Sequence, residues 1–162
     1  MASVSNVIML CGRLCSGKST YSAMLRDELG AVVLSVDELM IAILGRETGD
    51  MHDEYVRRAK QYILRKAAET ARAGAVVVLD QGFWSRAERR DARDFFAARD
   101  VDCELRYCKI TDEEWERRIA KRNAEVAEGR SDAYFVDDGL KAKFLAMFEE
   151  PDEDEADIVV EV

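Results

Sequence analysis

The stretch CGRLCSGKST, Cys11 to Thr20, contains Gly-x-x-x-x-Gly-Lys-Ser, and no other feature of the chain constrains its fold as tightly. The pattern works between a buried strand and a helix. Its glycines let consecutive backbone N–H groups turn toward one anion, and the helix N-terminus adds its positive dipole end. Both flanks are present. Val7–Cys11 is a strand-length apolar run, while Tyr21, Met24, Leu25 and Leu29 share one helical face that Gly30 is placed to end. Chance produces the bare pattern in roughly one chain of this length in a few hundred, and the flanks make it rarer. Gly12, Arg13, Leu14, Cys15, Ser16, Gly17, Lys18, Ser19 and Thr20 are therefore read as nucleotide-binding. Lys18 would reach the β- and γ-phosphates, and the Ser19 hydroxyl would sit on Mg²⁺.

Further apolar runs at 31–36, 75–79, 103–110 and 158–162 read as strands. The first two lack alternation, as strands covered on both faces do. Helical patterns lie between them. Tyr55, Ala59, Tyr62, Ile63 and Ala67 mark a helix over 53–72, and Ser85 with Glu88 is a capping box ahead of Ala92, Phe95 and Phe96. Thr111 with Glu114 is a second capping box, and Leu140, Phe144, Met147 and Phe148 mark a last helix stopped by Pro151. Strand–helix alternation of this kind predicts a parallel sheet with helices on both faces, its strand C-termini and ligand site along one edge.

Two carboxylates fall at that edge. Asp37 closes the run AVVLSVD, where it can accept a proton from an attacking hydroxyl; its plainer role would be to cap a helix starting near Glu38. Asp80 closes AVVVLD and is placed to orient Mg²⁺ or hold the acceptor. Beyond it, Phe83, Trp84 and Arg86 in DQGFWSR either wall an acceptor pocket or pack under the capped helix. Arg118 and Arg122 are four apart on one helical face, which either faces solvent or closes over the transferring phosphoryl group. Arg130, in AEGRSDAYF, extends a candidate lid over about 118–138.

The net charge of −9 repels polyanions, which argues against nucleic acid as the partner. The run EEPDEDEAD reads as a solvated connector. Four cysteines and one histidine lack zinc-site spacing; Cys11 reads as core packing, and Cys15 as the thiol nearest a helix N-terminus. Without a basic, apolar leader or a membrane-length run, a single cytoplasmic domain over 1–162 is expected.

Taken together, GRLCSGKST, SVDEL, VVLDQGFWSR and WERRIAKRN resemble the motifs of the small P-loop kinases, among them the kinase domain of polynucleotide kinase, chloramphenicol phosphotransferase and the zeta-toxin kinases. The resemblance runs from Val7 to about Arg122. It implies an α/β, three-layer P-loop fold with five parallel strands ordered 2-3-1-4-5, ATP as donor and Mg²⁺ as cofactor. It further implies Asp37 as general base and Arg118 and Arg122 as lid arginines, Arg122 acting in catalysis with Lys18. Polynucleotide kinases carry an arginine shortly after the base, and that place here is Met40. The expected activity is therefore phosphoryl transfer from ATP to a hydroxyl of a small molecule. Its rivals are a nucleotide-binding module or ATPase without acceptor, and a polynucleotide 5′-hydroxyl kinase.

Overall fold

A computed structural model describes residues 4–46, 49–131, 133 and 135–161. Its strands are β1 (Val7–Cys11), β2 (Val32–Leu34), β3 (Val77–Gly82), β4 (Cys103–Lys109) and β5 (Ile158–Glu161). The helices are α1 (Lys18–Leu29), α2 (Val36–Leu44), α3 (His52–Arg72), α4 (Arg86–Ala97), α5 (Asp112–Ala127) and α6 (Asp138–Met147). Every strand pairing is parallel, in the order β2-β3-β1-β4-β5. The expected architecture is the one observed.

β1 sits at the centre and all five of its residues are fully buried, which explains its unbroken apolar run. Alternate residues feed opposite layers. Val7, Met9 and Cys11 join Val77, Leu79 and Phe83 in a core covered by α2, α3 and α4, whereas Ile8, Leu10 and Val78 pack with Leu25 of α1. A third cluster, built on Ile110, Trp115, Ile119 and Val136, takes in Leu14 and Cys15 of the glycine-rich loop together with Leu140 and Phe144 of α6. The loop therefore rests on α5 and α6 as well as on the sheet.

Three differences from the sequence reading matter for the site. The second strand is three residues long, lies at the sheet edge and exposes Val32, because Ser35 ends it. Ser35 is extended, and its hydroxyl accepts from Glu38 N at 3.3 Å, so α2 begins at Val36. The third strand is displaced toward its C-terminus and places Asp80 inside β3 rather than at its end. Tyr62, grouped with the buried face of α3, is 44% exposed, since Ile63 and Ala59 fill that face.

A further correction concerns the acidic run. Residues 149–157 form a strap bound to one face of α4. Arg86 pairs with Asp152, Arg89 with Glu155 and Arg93 with Asp157, at 2.6, 2.6 and 2.8 Å. The backbone N–H of Arg86 donates to Glu149, Tyr107 donates its hydroxyl to Glu150, and Pro151 is buried. Spacing of i, i+3 and i+7 puts the three arginines on a single face. Only the Val162 end of the fifth predicted strand lies outside the described residues.

Candidate active site

The glycine-rich turn follows β1 and runs straight into α1. Gly17 caps that helix in a left-handed conformation, φ 88°, and Cys15 two residues earlier also has positive φ at 60°. Holding a non-glycine residue there costs about 1–2 kcal/mol. Strain of this kind fits a turn whose alternating conformations gather N–H groups into an anion-binding nest. Gly12 is needed for space: a Cβ there would stand 2.5 Å from Ser16 Oγ and 3.0 Å from the Cys108 carbonyl.

Lys18 folds back over this turn. Its ammonium donates to the carbonyls of Gly12 and Arg13 at 2.9 and 2.6 Å, and to Ser16 Oγ at 3.4 Å. Burial lowers its pKa, opposed chiefly by the charge of Asp80. Ser19 donates its hydroxyl to Asp80 at 3.2 Å across α1 and β3. Burial raises the Asp80 pKa, with a smaller push from Asp37, against the pull of Lys18 and the Ser19 hydroxyl. A serine hydroxyl beside a carboxylate supplies the hard oxygen donors that Mg²⁺ prefers, so the pair fits that ion. Among the described residues no group of three or more His, Cys, Asp or Glu side chains is arranged as a metal cluster.

Asp37 lies in the first turn of α2, one residue past its first residue. Capping belongs to Ser35, so the plainer role considered for Asp37 is taken. Its carboxylate is close enough to Asp80 for the two charges to be felt together. Asp80 and Lys18 thus meet at the phosphate loop, with the Asp37 charge felt at Asp80.

α5 closes the other side. Arg13 pairs with Asp112 at 2.7 Å and lies 5.4 Å from the Trp115 ring centre. Arg118 reaches the Cys15 carbonyl at 3.4 Å while pairing with Glu114, and Arg122 approaches the Cys15 sulfur at 3.5 Å. Both candidate lid arginines therefore point at the loop rather than at solvent. Thr20 is exposed on the first turn of α1. Arg130 pairs with Glu128, and Asp132 and Tyr134 of the candidate lid lie outside the described residues.

The proposed acceptor wall is dispersed. Phe83 has no exposed surface and belongs to the main core. Trp84 donates its indole N–H to the Gly12 carbonyl at 3.0 Å and meets Phe144 edge-on at 5.3 Å. Arg86 is bound to the acidic strap. Phe83 fills the main core, whereas Trp84 packs against Phe144 and the glycine-rich loop where β3 turns into α4. Sequence reasoning missed Trp115, which is 2% exposed and donates its indole N–H to the Leu14 carbonyl at 2.8 Å. The available signal was a tryptophan in the first turn of a capped helix, where the following arginines had drawn attention instead.

The thiols give a direct check of this geometry. Burial raises the Cys11 pKa to about 12, opposed by Arg89 and Lys18, and raises that of Cys108 to about 11. Both are fully buried, whereas Cys15 and Cys103 are partly exposed, and none of the four is in a disulfide. In native protein at pH 8 a thiol reagent is expected to modify Cys15 first, Cys103 more slowly because burial raises its pKa too, and Cys11 and Cys108 only on unfolding, read by intact-mass spectrometry. A nucleotide in the loop should shield Cys15 and leave Cys103 unchanged.

The AAA domain family AAA_33 matches residues 7–151. No curated protein matches the sequence significantly. Among solved structures, a candidate kinase from Chloroflexus aurantiacus j-10-fl superposes with a TM-score of 0.72 at 17% identity, covering 99% of this chain and 88% of that one. A gluconokinase from Sinorhizobium meliloti 1021 gives 0.62 at 16%, covering 98% and 83%. A chain of the Pnkp1/Rnl/Hen1 RNA repair complex gives 0.70 at 18%, covering 91% and 45%. At these identities the likeness is one of fold.

Proposed function

The chain belongs to the AAA_33 family of P-loop kinases, and from this premise we propose that it transfers the γ-phosphoryl group of ATP to a hydroxyl of a small-molecule acceptor. The observation that carries the reading is the Ser19–Asp80 hydrogen bond beside Lys18 in the loop, with a second carboxylate, Asp37, near enough for its charge to act on Asp80. A nucleotide-binding module needs the loop and Asp80 alone. A second carboxylate beside them is what a kinase uses to take the proton from the attacking hydroxyl.

In this reading residues 1–162 act as one kinase domain, its lid over about 118–138. The loop N–H groups and Lys18 hold the phosphates of ATP. Ser19 and Asp80 would hold Mg²⁺, which neutralises charge on the β- and γ-phosphates. Asp37 orients and deprotonates the acceptor hydroxyl, and Arg118 and Arg122 stand against the growing charge on the transferring group. Catalysis is then mostly positioning and charge stabilisation in a water-poor site.

A small acceptor is favoured over a nucleic acid 5′-hydroxyl on two grounds. The net charge is −9. Met40, in the place where a phosphate-gripping arginine would stand, is 8% exposed and packs in the core under α2. The gluconokinase among the structural neighbours is consistent with a small polyol or sugar acid as acceptor. Four unpaired cysteines suit a reducing, cytoplasmic setting, and among the described residues no helix is long and apolar enough to cross a membrane.

The test is an ADP-release screen over sugars, sugar acids, nucleosides, aminoglycoside-like polyols and a 5′-hydroxyl oligonucleotide. One or more small acceptors should stimulate release severalfold over the acceptor-free rate. Stimulation by the oligonucleotide alone would move the assignment to nucleic acid.

A further inference from the structure

The chain contains two tryptophans, and each donates its indole N–H to a carbonyl of the same six-residue turn: Trp84 to Gly12 at 3.0 Å and Trp115 to Leu14 at 2.8 Å. They arrive from unrelated places, the β3–α4 connection and the first turn of α5. We propose that Trp84 and Trp115 are positioning residues that preorganise the phosphate loop, a role that rests on the nucleotide-binding reading above.

A trans peptide sets its C=O and the following N–H on opposite sides of the chain. Holding the Gly12 and Leu14 carbonyls against the two indoles therefore aims the Arg13 and Cys15 N–H groups the other way. Among the described residues those two N–H groups have no backbone acceptor. They remain available to an anion.

Both indoles are fixed without help from a ligand. The Trp84 ring lies so close to Gly82 that a Cβ there would meet Nε1 at 2.6 Å. Phe144 contacts its ring at 5.3 Å, and its own carbonyl accepts from Glu149 N at 2.8 Å. Trp115 is the largest fully enclosed side chain and sits in the cluster with Leu14. Rigid donors cost no reorganisation when phosphate binds, which is what preorganisation requires.

Trp84 has a further use. Gly12 O accepts from Lys18 as well as from Trp84, and Arg13 O accepts from Lys18 and from Ser16 N at 3.2 Å. When Lys18 moves to a phosphate, each carbonyl it leaves keeps a second donor. A buried carbonyl stripped of all donors would hold the lysine back. The indole removes that penalty at Gly12.

The test replaces the indole at 84 or at 115 by the isosteric benzothiophene, which keeps ring shape and loses the N–H. Trp84→Phe and Trp115→Phe serve as encoded counterparts. Calorimetry measures binding of inorganic tripolyphosphate and of adenosine, and a thermal scan follows folding without ligand. Each lost N–H should weaken tripolyphosphate about fivefold, the equivalent of one neutral hydrogen bond at ~1 kcal/mol, with adenosine binding unmoved. Replaced variants that bind tripolyphosphate like the wild type, whatever their melting temperature, would show a structural role only and overturn the proposal. A wild type that binds no tripolyphosphate would instead overturn the phosphate-loop reading, and this role with it.

Discussion

Asp37→Asn is expected to slow acceptor phosphorylation by about 10²–10⁴-fold while leaving the dissociation constant for ATP within about twofold of wild type. The side chains are isosteric, so packing at the start of α2 is kept, and Ser35 continues to cap the helix. What changes is charge and basicity. An amide can still accept a hydrogen bond from the acceptor hydroxyl, but it cannot take the proton. The loss should therefore fall on kcat far more than on the KM for either substrate. A second consequence follows from Asp80. The Asp37 carboxylate contributes to the raised Asp80 pKa, after burial, so its neutralisation should lower that pKa. NMR titration of the Asp80 carboxyl in the two proteins checks the coupling without reference to turnover.

Glu155→Ala should destabilise the fold by about 3–5 kcal/mol, the cost of stranding a buried guanidinium. Arg89 has no exposed surface, and its fork holds Glu155 at 2.6 and 3.1 Å. Its remaining nitrogen donates to the Phe83 carbonyl at 2.9 Å, the residue with φ 46° at which β3 turns toward α4. Without Glu155 the charge stays buried with half its hydrogen bonds gone. A protein of this length should lose on the order of 10 °C in melting temperature. The double variant Arg89→Met, Glu155→Leu should recover most of that stability, because replacing both partners removes the stranded charge.

The same pair sets a pH dependence. Partial burial pushes the Glu155 carboxyl up, yet the Arg89 hydrogen bond and charge outweigh it, and the native pKa lies below the ordinary 4.5. With a depressed native pKa the unfolded state binds more protons, so stability rises with pH across the window. The contribution is fully present above pH 4.5 and is lost as pH falls through the lowered native value. Chemical denaturation of wild type and Glu155→Gln between pH 6 and 3 should converge at the acid end.

The most readable part of this protein is one short stretch, with the capping pairs Ser85–Glu88 and Thr111–Glu114 legible beyond it. CGRLCSGKST carries its own strand end, turn and helix start, and β1 is apolar because both its faces are covered. Five parallel strands in the order 2-3-1-4-5 came from the motif resemblance rather than from periodicity, and the pairing bears them out. Boundaries failed where two local signals competed. The run AVVLSVD looked like strand to its end, yet Ser35 with Glu38 is itself a capping pair that starts α2 at Val36. Asp37 consequently moved from a strand terminus to a helix.

Tertiary partners were the other blind spot. Residues 149–157 are acidic enough to read as solvated, and their arginines lie more than 60 positions away on α4. The partners of the two tryptophans were invisible for the same reason, since an indole N–H declares no partner in sequence. For Trp84 and Phe83, which follow Asp80, the sequence leaves an acceptor wall and packing under the capped helix equally open. One is committed to the Gly12 carbonyl and the other to the core.

The central claim is that the phosphoryl group passes to a hydroxyl acceptor and not to water. Following the label of γ-³²P-ATP tests it most directly, with wild-type protein, Mg²⁺ and the acceptor that stimulates ADP release most. The account predicts label in an organic phosphate, with inorganic phosphate a minor product and ADP formed in equal amount to the phosphorylated acceptor. Label recovered only as inorganic phosphate, at a rate indifferent to any acceptor, would contradict it and identify the chain as an ATPase.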